Sequence, residues 1–398
     1  MKLIALSVFL ILTLSITSQE NKMNTLESKL SELKQKYAPD KRTAIFEYEI
    51  DDNNLKVKSD KKLALDELTE FIKINSNLSL DLTTQLLPSS DLKDKIFGIV
   101  NISVANLRTS PKHSAELATQ SLLGDPVKVL EEKDYWFRIQ TSDNYIAWVD
   151  DDGFHPMNKN EFDEWIKTTK IIYTNDYGFS YEEKSNQSNR VSDLVIGNLL
   201  KFIDEDESFY QVEYPDGRIA YVNKNEAKLF DDWKNQLEPN NQNIVKTSMN
   251  FMGMPYLWGG TSAKGIDCSG FTKTVYRLNG IILQRDASQQ VNTGVLVETP
   301  NKDFSKLTQG DLLFFGDHAK DDKKERITHV GIYIGGGEFI HSSGKVKINS
   351  LDPKADNFSK FRYNQFIRAK RILNSIDTYG ITTFNSNKFY NGDLYDSE

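Results

Sequence analysis

The sequence predicts a multidomain protein in which a small α+β N-terminal region precedes two small β-barrels and a C-terminal α+β domain. Its 398 residues exceed the usual size of a single domain. A unit of short strands occurs twice in the middle of the chain, and the last third combines a helical pattern behind the single cysteine with a glycine-rich β-hairpin. Together these three observations indicate several separately folded parts.

The chain begins with the pattern of a secretory signal peptide over residues 1–18. Lys2 precedes an apolar run over residues 3–16, and Thr17 and Ser18 follow it. The run is shorter than the about 20 residues that span a bilayer, so we expect no stable membrane anchor after signal cleavage; an uncleaved anchor is the alternative. We therefore expect an exported protein, located in the periplasm or outside the cell.

Residues 19–97 are predicted to form the small α+β region. An amphipathic helical pattern over residues 26–37 precedes strand-like residues 43–50, and a second helical pattern covers residues 62–74. A further strand is expected over residues 82–87. We expect this region to be a structural spacer, because its residues indicate no particular chemistry.

An internal repeat with an offset of 73 residues predicts two copies of one β unit, so that Trp136 in the first copy corresponds to Phe209 in the second. Alternating strands joined by Asp-rich turns are typical of small antiparallel barrels, which we predict over residues 98–157 and 158–236. We expect the repeated aromatic residues to form barrel cores rather than a ligand platform. These residues are Trp136, Trp148, Phe209 and Tyr221.

Cys268 is a candidate nucleophile. It begins a helical pattern in which Phe271, Val275 and Leu278 share one face, and Asp267 is positioned to cap that helix. Unpaired backbone amides and the positive end of the helix dipole are expected to favour the thiolate there. Free cysteine is also a common buried core residue, so this position by itself leaves both interpretations open.

A general base for Cys268 is expected on a downstream hairpin, where two alternating strand patterns flank Gly335, Gly336 and Gly337. A turn centred on Gly336 puts His329 and His341 on one face of the hairpin, about 7–8 Å apart, whereas a two-residue turn puts them on opposite faces. We assign His329 as the base and His341 as the residue that orients its ring. Two structural histidines are the alternative.

One cysteine and two histidines are too few ligands for a tetrahedral zinc site, so we expect no metal and no other cofactor. The net charge of −8, from 49 Lys and Arg against 57 Asp and Glu, argues against attraction to nucleic acid. Residues 237–243, rich in Asn and Gln, are predicted to be a linker before the C-terminal domain, residues 244–373. The polar tail, residues 374–398, is expected to lack a partner in the fold.

Five successive segments of the C-terminal domain resemble the motifs of the NlpC/P60 cell-wall cysteine peptidases. They are residues 255–260, 265–271, 310–315, 328–334 and 339–341. The resemblance implies a papain-like α+β peptidase domain with Cys268, His329 and His341 as its catalytic triad. It also implies cleavage of the bond between γ-D-glutamate and a diamino acid in peptidoglycan peptides. The two predicted barrels resemble the bacterial SH3 domains that commonly accompany this peptidase.

Residues 106–117 and 143–149 resemble the signature of the YkfC-type γ-D-glutamyl-L-diamino acid endopeptidases. In that branch the first SH3 domain closes one end of the catalytic cleft, and a Glu, a Tyr and an Asp hold the free amine of an N-terminal L-alanine. Without the resemblance, Glu116 and Tyr145 fit an ordinary solvated barrel edge. The residues assigned to substrate binding are Glu116, Tyr145, Asp286, Asp267, Ser269 and Trp258.

The predicted function is therefore hydrolysis of the γ-D-glutamyl-diamino acid bond in peptidoglycan-derived peptides with a free N-terminal L-alanine. The sequence leaves two alternatives. One is an endopeptidase acting on intact stem peptides, which requires an open cleft. The other is a non-catalytic protein that binds the cell wall through its barrels. The sequence also leaves open whether the diamino acid is diaminopimelate or lysine.

Overall fold

The computed structural model describes residues 23–394. The predicted signal peptide lies outside that range. The chain divides after Lys93 into two compact units. Within residues 23–394, no helix has the length and apolar character that crossing a bilayer requires.

The N-terminal unit is a three-stranded sheet with two helices. Strand β2 lies in the centre, antiparallel to β1 and parallel to β3. One core buries Leu30 of α1, Val57 of β2 and Leu68 of α2. The unit contains both helices and strands. Strand β2 was missed in the sequence because its few apolar residues stand among lysines and asparagines. The elements are α1 (residues 23–37), β1 (Phe46–Asp51), β2 (Asn54–Ser59), α2 (Lys62–Ile74) and β3 (Asp81–Leu86).

The second unit begins with a seven-stranded antiparallel sheet of order β10-β4-β7-β8-β9-β5-β6. Its strands are β4 (Phe97–Val100), β5 (Val104–Arg108), β6 (Leu117–Leu122), β7 (Pro126–Lys133), β8 (Trp136–Gln140), β9 (Ile146–Asp150) and β10 (Phe154–Met157). Helix α3 (Lys159–Lys167) follows, and its Asn158 cap and Glu161 form a reciprocal capping box.

A second seven-stranded sheet, of order β13-β12-β16-β15-β14-β11-β17, comes next. Adding seven to each strand number of the first sheet gives the order of the second sheet read from its other end. The two sheets therefore have the same topology, as the sequence repeat predicts. The strands are β11 (Lys170–Tyr173), β12 (Tyr177–Tyr181), β13 (Arg190–Val195), β14 (Leu199–Glu205), β15 (Phe209–Glu213), β16 (Ile219–Asn223) and β17 (Ala227–Leu229), followed by helix α4 (Phe230–Asn235).

The four repeated aromatic residues differ in how deeply they are buried. Trp136 and Phe209 are buried, as predicted for core residues. Trp148 and Tyr221 are only half-buried. The guanidinium of Arg138 lies 5.8 Å from the Trp148 ring centroid, which indicates cation–π packing on the barrel surface.

The C-terminal part is a six-stranded antiparallel sheet of order β21-β26-β22-β23-β24-β25 with helix α6 packed on β23 and β24. Phe271 and Val275 of α6 share a core with Val330 and Ile340 of the sheet. The helices are α5 (Asn241–Asn250), α6 (Cys268–Arg277), α7 (Ala287–Gln290), α8 (Lys360–Gln365) and α9 (Lys388–Asn391). The strands are β18 (Thr261–Ser262), β19 (Gly265–Ile266), β20 (Ile281–Leu283), β21 (Val295–Val297), β22 (Leu312–Asp317), β23 (Arg326–Gly335), β24 (Glu338–Ser343), β25 (Lys345–Ser350), β26 (Phe366–Arg371) and β27 (Ile381–Thr383).

The expectation that the polar tail lacks a partner is wrong for its described part, residues 374–394. Strand β27 pairs antiparallel with β20, and the buried Phe384 packs edge-on against Phe230 of α4. The hydroxyl of Tyr390 donates to Asp125 at 2.8 Å, which ties the tail to the first barrel. The prediction failed because the average polarity of the tail hid a few well-spaced aromatic residues that find apolar partners only in the folded chain.

Candidate active site

Cys268 is the first residue of α6 and is 8% exposed. The Asp267 carboxylate caps this helix by accepting from the Gly270 amide at 2.7 Å, so the predicted helix start and cap are confirmed. Its other oxygen accepts from the Gly259 amide at 3.0 Å. A Cβ on Gly270 would lie 2.0 Å from the Gly260 carbonyl oxygen, so only glycine permits this close approach below the cysteine.

Arg285 holds this helix start in place. Its guanidinium, which is 1% exposed, donates to the two Asp267 oxygens at 3.1 and 2.5 Å and to Ser269 Oγ at 3.0 Å. It also donates to Thr119 of the first barrel at 2.9 Å. Burial disfavours the charge, but the Asp267 carboxylate outweighs burial and holds the pKa of Arg285 above its usual value. Asp267 and Ser269 are thus engaged within the protein, and their predicted role in substrate binding stays a prediction.

The two hairpin histidines lie side by side. Ile332 pairs with Ile340 and Tyr333 with Phe339, the register that a turn centred on Gly336 predicts. His329 Nε2 lies 2.7 Å from His341 Nδ1, and the two rings are nearly perpendicular. The prediction that both histidines share one face is confirmed.

Asn349 on β25 extends this pair and was missed by the sequence analysis. Its Oδ1 lies 2.9 Å from His341 Nε2, and its Nδ2 donates to the Asn357 carbonyl at 3.1 Å. Because the amide nitrogen is used as a donor, the amide oxygen accepts the His341 Nε2 proton. His341 Nδ1 then accepts from His329 Nε2, which leaves His329 Nδ1 as an unprotonated acceptor.

Cys268 and His329 line one cavity of about 300 Å³. Strand β23 supplies the histidine and helix α6 the cysteine, and the two elements pack directly on each other. The cavity is also lined by Tyr256, Ser343 and Arg362. The fold therefore brings the predicted nucleophile and base to the same cavity, although they lie 61 positions apart in the sequence.

Burial dominates the electrostatics of this cavity. It raises the pKa of the Cys268 thiol to about 11, and the Asp267 carboxylate adds to the rise, while the Val330 amide and Arg285 oppose it. Burial also holds the pKa of His329 well below its usual value and lowers that of His341 to about 4. At neutral pH the resting pair is a thiol beside a neutral imidazole. The expectation that the helix start favours a resting thiolate is wrong, because burial and the Asp267 carboxylate raise the thiol pKa by more than the nearby backbone amides and Arg285 lower it.

The first barrel packs against the peptidase domain through strand β6 and Glu116, the residue just before it. Trp258 Nε1 donates to the Glu116 carboxylate at 2.7 Å, and the Thr261 amide donates to the Gln120 side chain at 2.9 Å. A Cβ on Gly259 would lie 2.4 Å from the Leu117 carbonyl oxygen. This glycine therefore lets the two backbones come together.

The remaining predicted binding residues lie at the same interface. Tyr145 is 7% exposed and comes from the barrel, and the Asp286 carboxylate lies 3.9 Å from Arg285. The Arg285 charge is influenced by both Asp286 and Tyr145, so the three side chains are neighbours. Trp258 is 62% exposed and is hydrogen-bonded to Glu116. Across residues 23–394, no group of three or more His, Cys, Asp and Glu side chains is arranged to hold a metal ion.

Two family models match the chain: the NlpC/P60 family over residues 253–368 and the bacterial dipeptidyl-peptidase Sh3 domain over residues 107–154. The chain is 30% identical over 271 residues to dipeptidyl-peptidase 6 of Lysinibacillus sphaericus, a match that covers 64% of this chain and 91% of the relative. The chain belongs to the NlpC/P60 family. This peptidase thus combines a bacterial SH3 domain with an NlpC/P60 domain in a β-rich multidomain fold, as predicted. An SH3 identity for the second sheet stays a prediction.

Two other similar proteins come from Bacillus cereus. A γ-D-glutamyl-L-lysine dipeptidyl-peptidase is 31% identical over 241 residues, covering 57% of this NlpC/P60 chain and 67% of the relative. The crystal structure of an NlpC/P60 family protein superposes with a TM-score of 0.59 at 26% identity, covering 70% of this chain and 99% of that chain. The likeness therefore extends across the SH3 domain and the peptidase domain together.

Proposed function

We propose that the protein is a cysteine endopeptidase that hydrolyses the γ-D-glutamyl-diamino acid bond of peptidoglycan-derived peptides carrying a free N-terminal L-alanine. The observation that carries the proposal is the single cavity that contains Cys268 at a helix start and His329 at the end of a hydrogen-bonded relay. The bond is suggested by the relative named for γ-D-glutamyl-L-lysine cleavage.

In the proposed mechanism the Cys268 thiol and the His329 imidazole start neutral. As the sulfur attacks the γ-glutamyl carbonyl, His329 Nδ1 takes its proton, and the resulting imidazolium donates that proton to the departing amine. His341 accepts from His329 Nε2 and orients the ring. Water then hydrolyses the thioester and restores the thiol. The Cys268 backbone amide is a candidate donor to the oxyanion.

The specificity for a free amine is proposed to come from the barrel interface. Glu116 and Asp286 supply carboxylates from the two domains, and Tyr145 supplies a hydroxyl. The hydrogen bond from Trp258 holds Glu116 in position. An ammonium that gains such partners is stabilised by about 1.5–3 kcal/mol per charged hydrogen bond, and a barrel that closes the cleft excludes a longer chain.

A comparison of two tripeptides tests this proposal. L-Ala-γ-D-Glu-L-Lys and its N-acetyl derivative are incubated with the protein, and the products are measured by mass spectrometry. We expect cleavage of the free peptide only, and a loss of that preference in Glu116→Gln, which keeps the side-chain size. Equal cleavage of both peptides by the unmodified protein would remove the claim of amine recognition. Release of fragments from whole sacculi would favour action on intact stem peptides.

We further propose the domain limits that the sequence predicts, with residues 158–236 as a second SH3-like barrel. Only the first barrel is proposed to take part in recognition, because Arg218 of the second barrel occupies the position that corresponds to Tyr145. Export directed by residues 1–18 belongs to the same proposal. Cell fractionation with and without residues 1–18 tests it, and a protein retained in the cytoplasm in both cases would contradict it.

A further inference from the structure

Arg362 of α8 lines the cavity that contains Cys268 and His329. Its guanidinium is half-buried between two aromatic rings, 5.8 Å from the centroid of Phe315 and 5.2 Å from that of Phe361. The Phe315 ring also lies 5.8 Å from the His329 ring. A single aromatic side chain therefore contacts both the proposed base and this cation, which fixes Arg362 on the His329 side of the cavity.

Arg362 is half-buried without an acidic partner among residues 23–394. Its side chain donates to the neutral Gln365 side chain at 3.2 Å. In the part of the chain that the structure describes, no carboxylate lies within ion-pairing distance of it, whereas Arg371 is paired with Asp311 at 2.8 Å. Burial lowers the pKa of Arg362, and the nearby Cys268 and Tyr256 side chains offset this desolvation only in part. A cation held in this way is suited to an anion from outside the protein.

The two sides of the proposed active site carry opposite charges. Glu116 and Asp286 lie at the barrel interface, whereas Arg362 lines the cavity that contains Cys268, and no barrel residue lines that cavity. Lys347 adds a positive charge that is felt by both histidines. A peptide with an ammonium at one end and a carboxylate at the other matches this polarity.

We propose that Arg362 binds a free carboxylate on the diamino acid that leaves when the γ-glutamyl bond is cleaved. This inference rests on the proposed function and specifies the leaving half of its substrate. The departing amine receives its proton from His329, and the α-carboxylate is attached to the carbon that bears that amine. Two sources carry the same chemistry: the α-carboxylate of a C-terminal diamino acid, and the second carboxylate of diaminopimelate.

Four peptides distinguish the two sources. L-Ala-γ-D-Glu is joined to lysine or to meso-diaminopimelate, each with a free or an amidated α-carboxyl group, and kcat and KM are measured separately. Recognition of the α-carboxylate predicts that amidation raises KM about 10- to 100-fold in both series, the factor expected for a charged hydrogen bond. Recognition of the second carboxylate predicts instead that both lysine peptides have a higher KM than the two diaminopimelate peptides.

The matched variants are Arg362→Gln, Arg362→Lys and Arg368→Gln. Arg368 is half-buried and paired with Glu325, and it does not line the cavity, so its loss changes the net charge equally without touching the cavity. We expect Arg362→Gln to lose the preference for the free carboxylate, Arg362→Lys to keep part of that preference, and Arg368→Gln to keep all of it. Thermal unfolding checks that each variant is folded.

Cleavage of all four peptides with equal KM, or an unaltered preference in folded Arg362→Gln, would overturn this inference and leave the proposed function standing. Failure to cleave any of the four peptides would overturn both. The experiment therefore separates an error about Arg362 from an error about the reaction.

Discussion

Replacing Asn349 with leucine tests the histidine relay, because Asn349 Oδ1 is the acceptor at its end. The change removes the 2.9 Å hydrogen bond to His341 Nε2 and leaves a buried N–H without a partner. Such a loss costs about 1–3 kcal/mol, and His341 can then adopt the other tautomer, in which Nδ1 carries the proton. His329 Nε2 would then have to accept a hydrogen bond from His341 Nδ1. The His329 ring proton would therefore move to its Nδ1, which could no longer act as the base.

We expect Asn349→Leu to lower kcat by about 10- to 100-fold with little effect on KM, since 1.4 kcal/mol corresponds to a factor of ten. Steady-state kinetics with the free tripeptide measures this, and nitrogen NMR of the histidine rings reports the tautomers. Asn349→Asp is the matched control, because it keeps an acceptor for His341 and is expected to retain most of the rate. Full activity in Asn349→Leu, with unchanged ring signals, would refute the assigned relay.

Two other predictions concern buried titratable groups. Because His329 and His341 have pKa values below the unfolded value of about 6.5, the unfolded chain takes up protons first as the pH falls. The contribution of these histidines to the free energy of unfolding should therefore be full above pH ~6.5 and fall below it, with a loss of about 3 kcal/mol from His341 on reaching pH ~4. A free energy of unfolding, measured with denaturant, that does not change between these pH values would contradict this prediction. Arg285→Met leaves the buried Asp267 carboxylate without its partner and should destabilise the protein by about 3–5 kcal/mol; an unchanged unfolding midpoint would show that the pair is dispensable.

Local patterns were enough to predict the hairpin and the helix that hold the candidate site. Three consecutive glycines fixed the turn, and the period-two pattern on both sides fixed which residues share a face. The helix start at Cys268 was equally local, since Asp267 and Gly270 are neighbours in the sequence. Both predictions needed only short-range geometry.

Side chains that act across separate elements could not be predicted in the same way. Asn349 belongs to the strand after the hairpin and has no distinctive sequence context, and Arg362 reaches the cavity from a helix much later in the chain. The thiol pKa was predicted in the wrong direction because the sequence shows a helix start but not the depth of burial. Such features depend on tertiary packing, which composition and periodicity do not encode.

The proposed mechanism requires that Cys268 form a covalent bond with the γ-glutamyl carbonyl carbon, and mass spectrometry of the digested protein tests this requirement directly. The protein is mixed with excess free tripeptide, quenched in acid after short times, digested and mapped. We predict an L-alanyl-γ-D-glutamyl adduct on the fragment containing Cys268, and neither adduct nor product with Cys268→Ala. Product formation by folded Cys268→Ala at the rate of the unmodified protein would contradict the central claim.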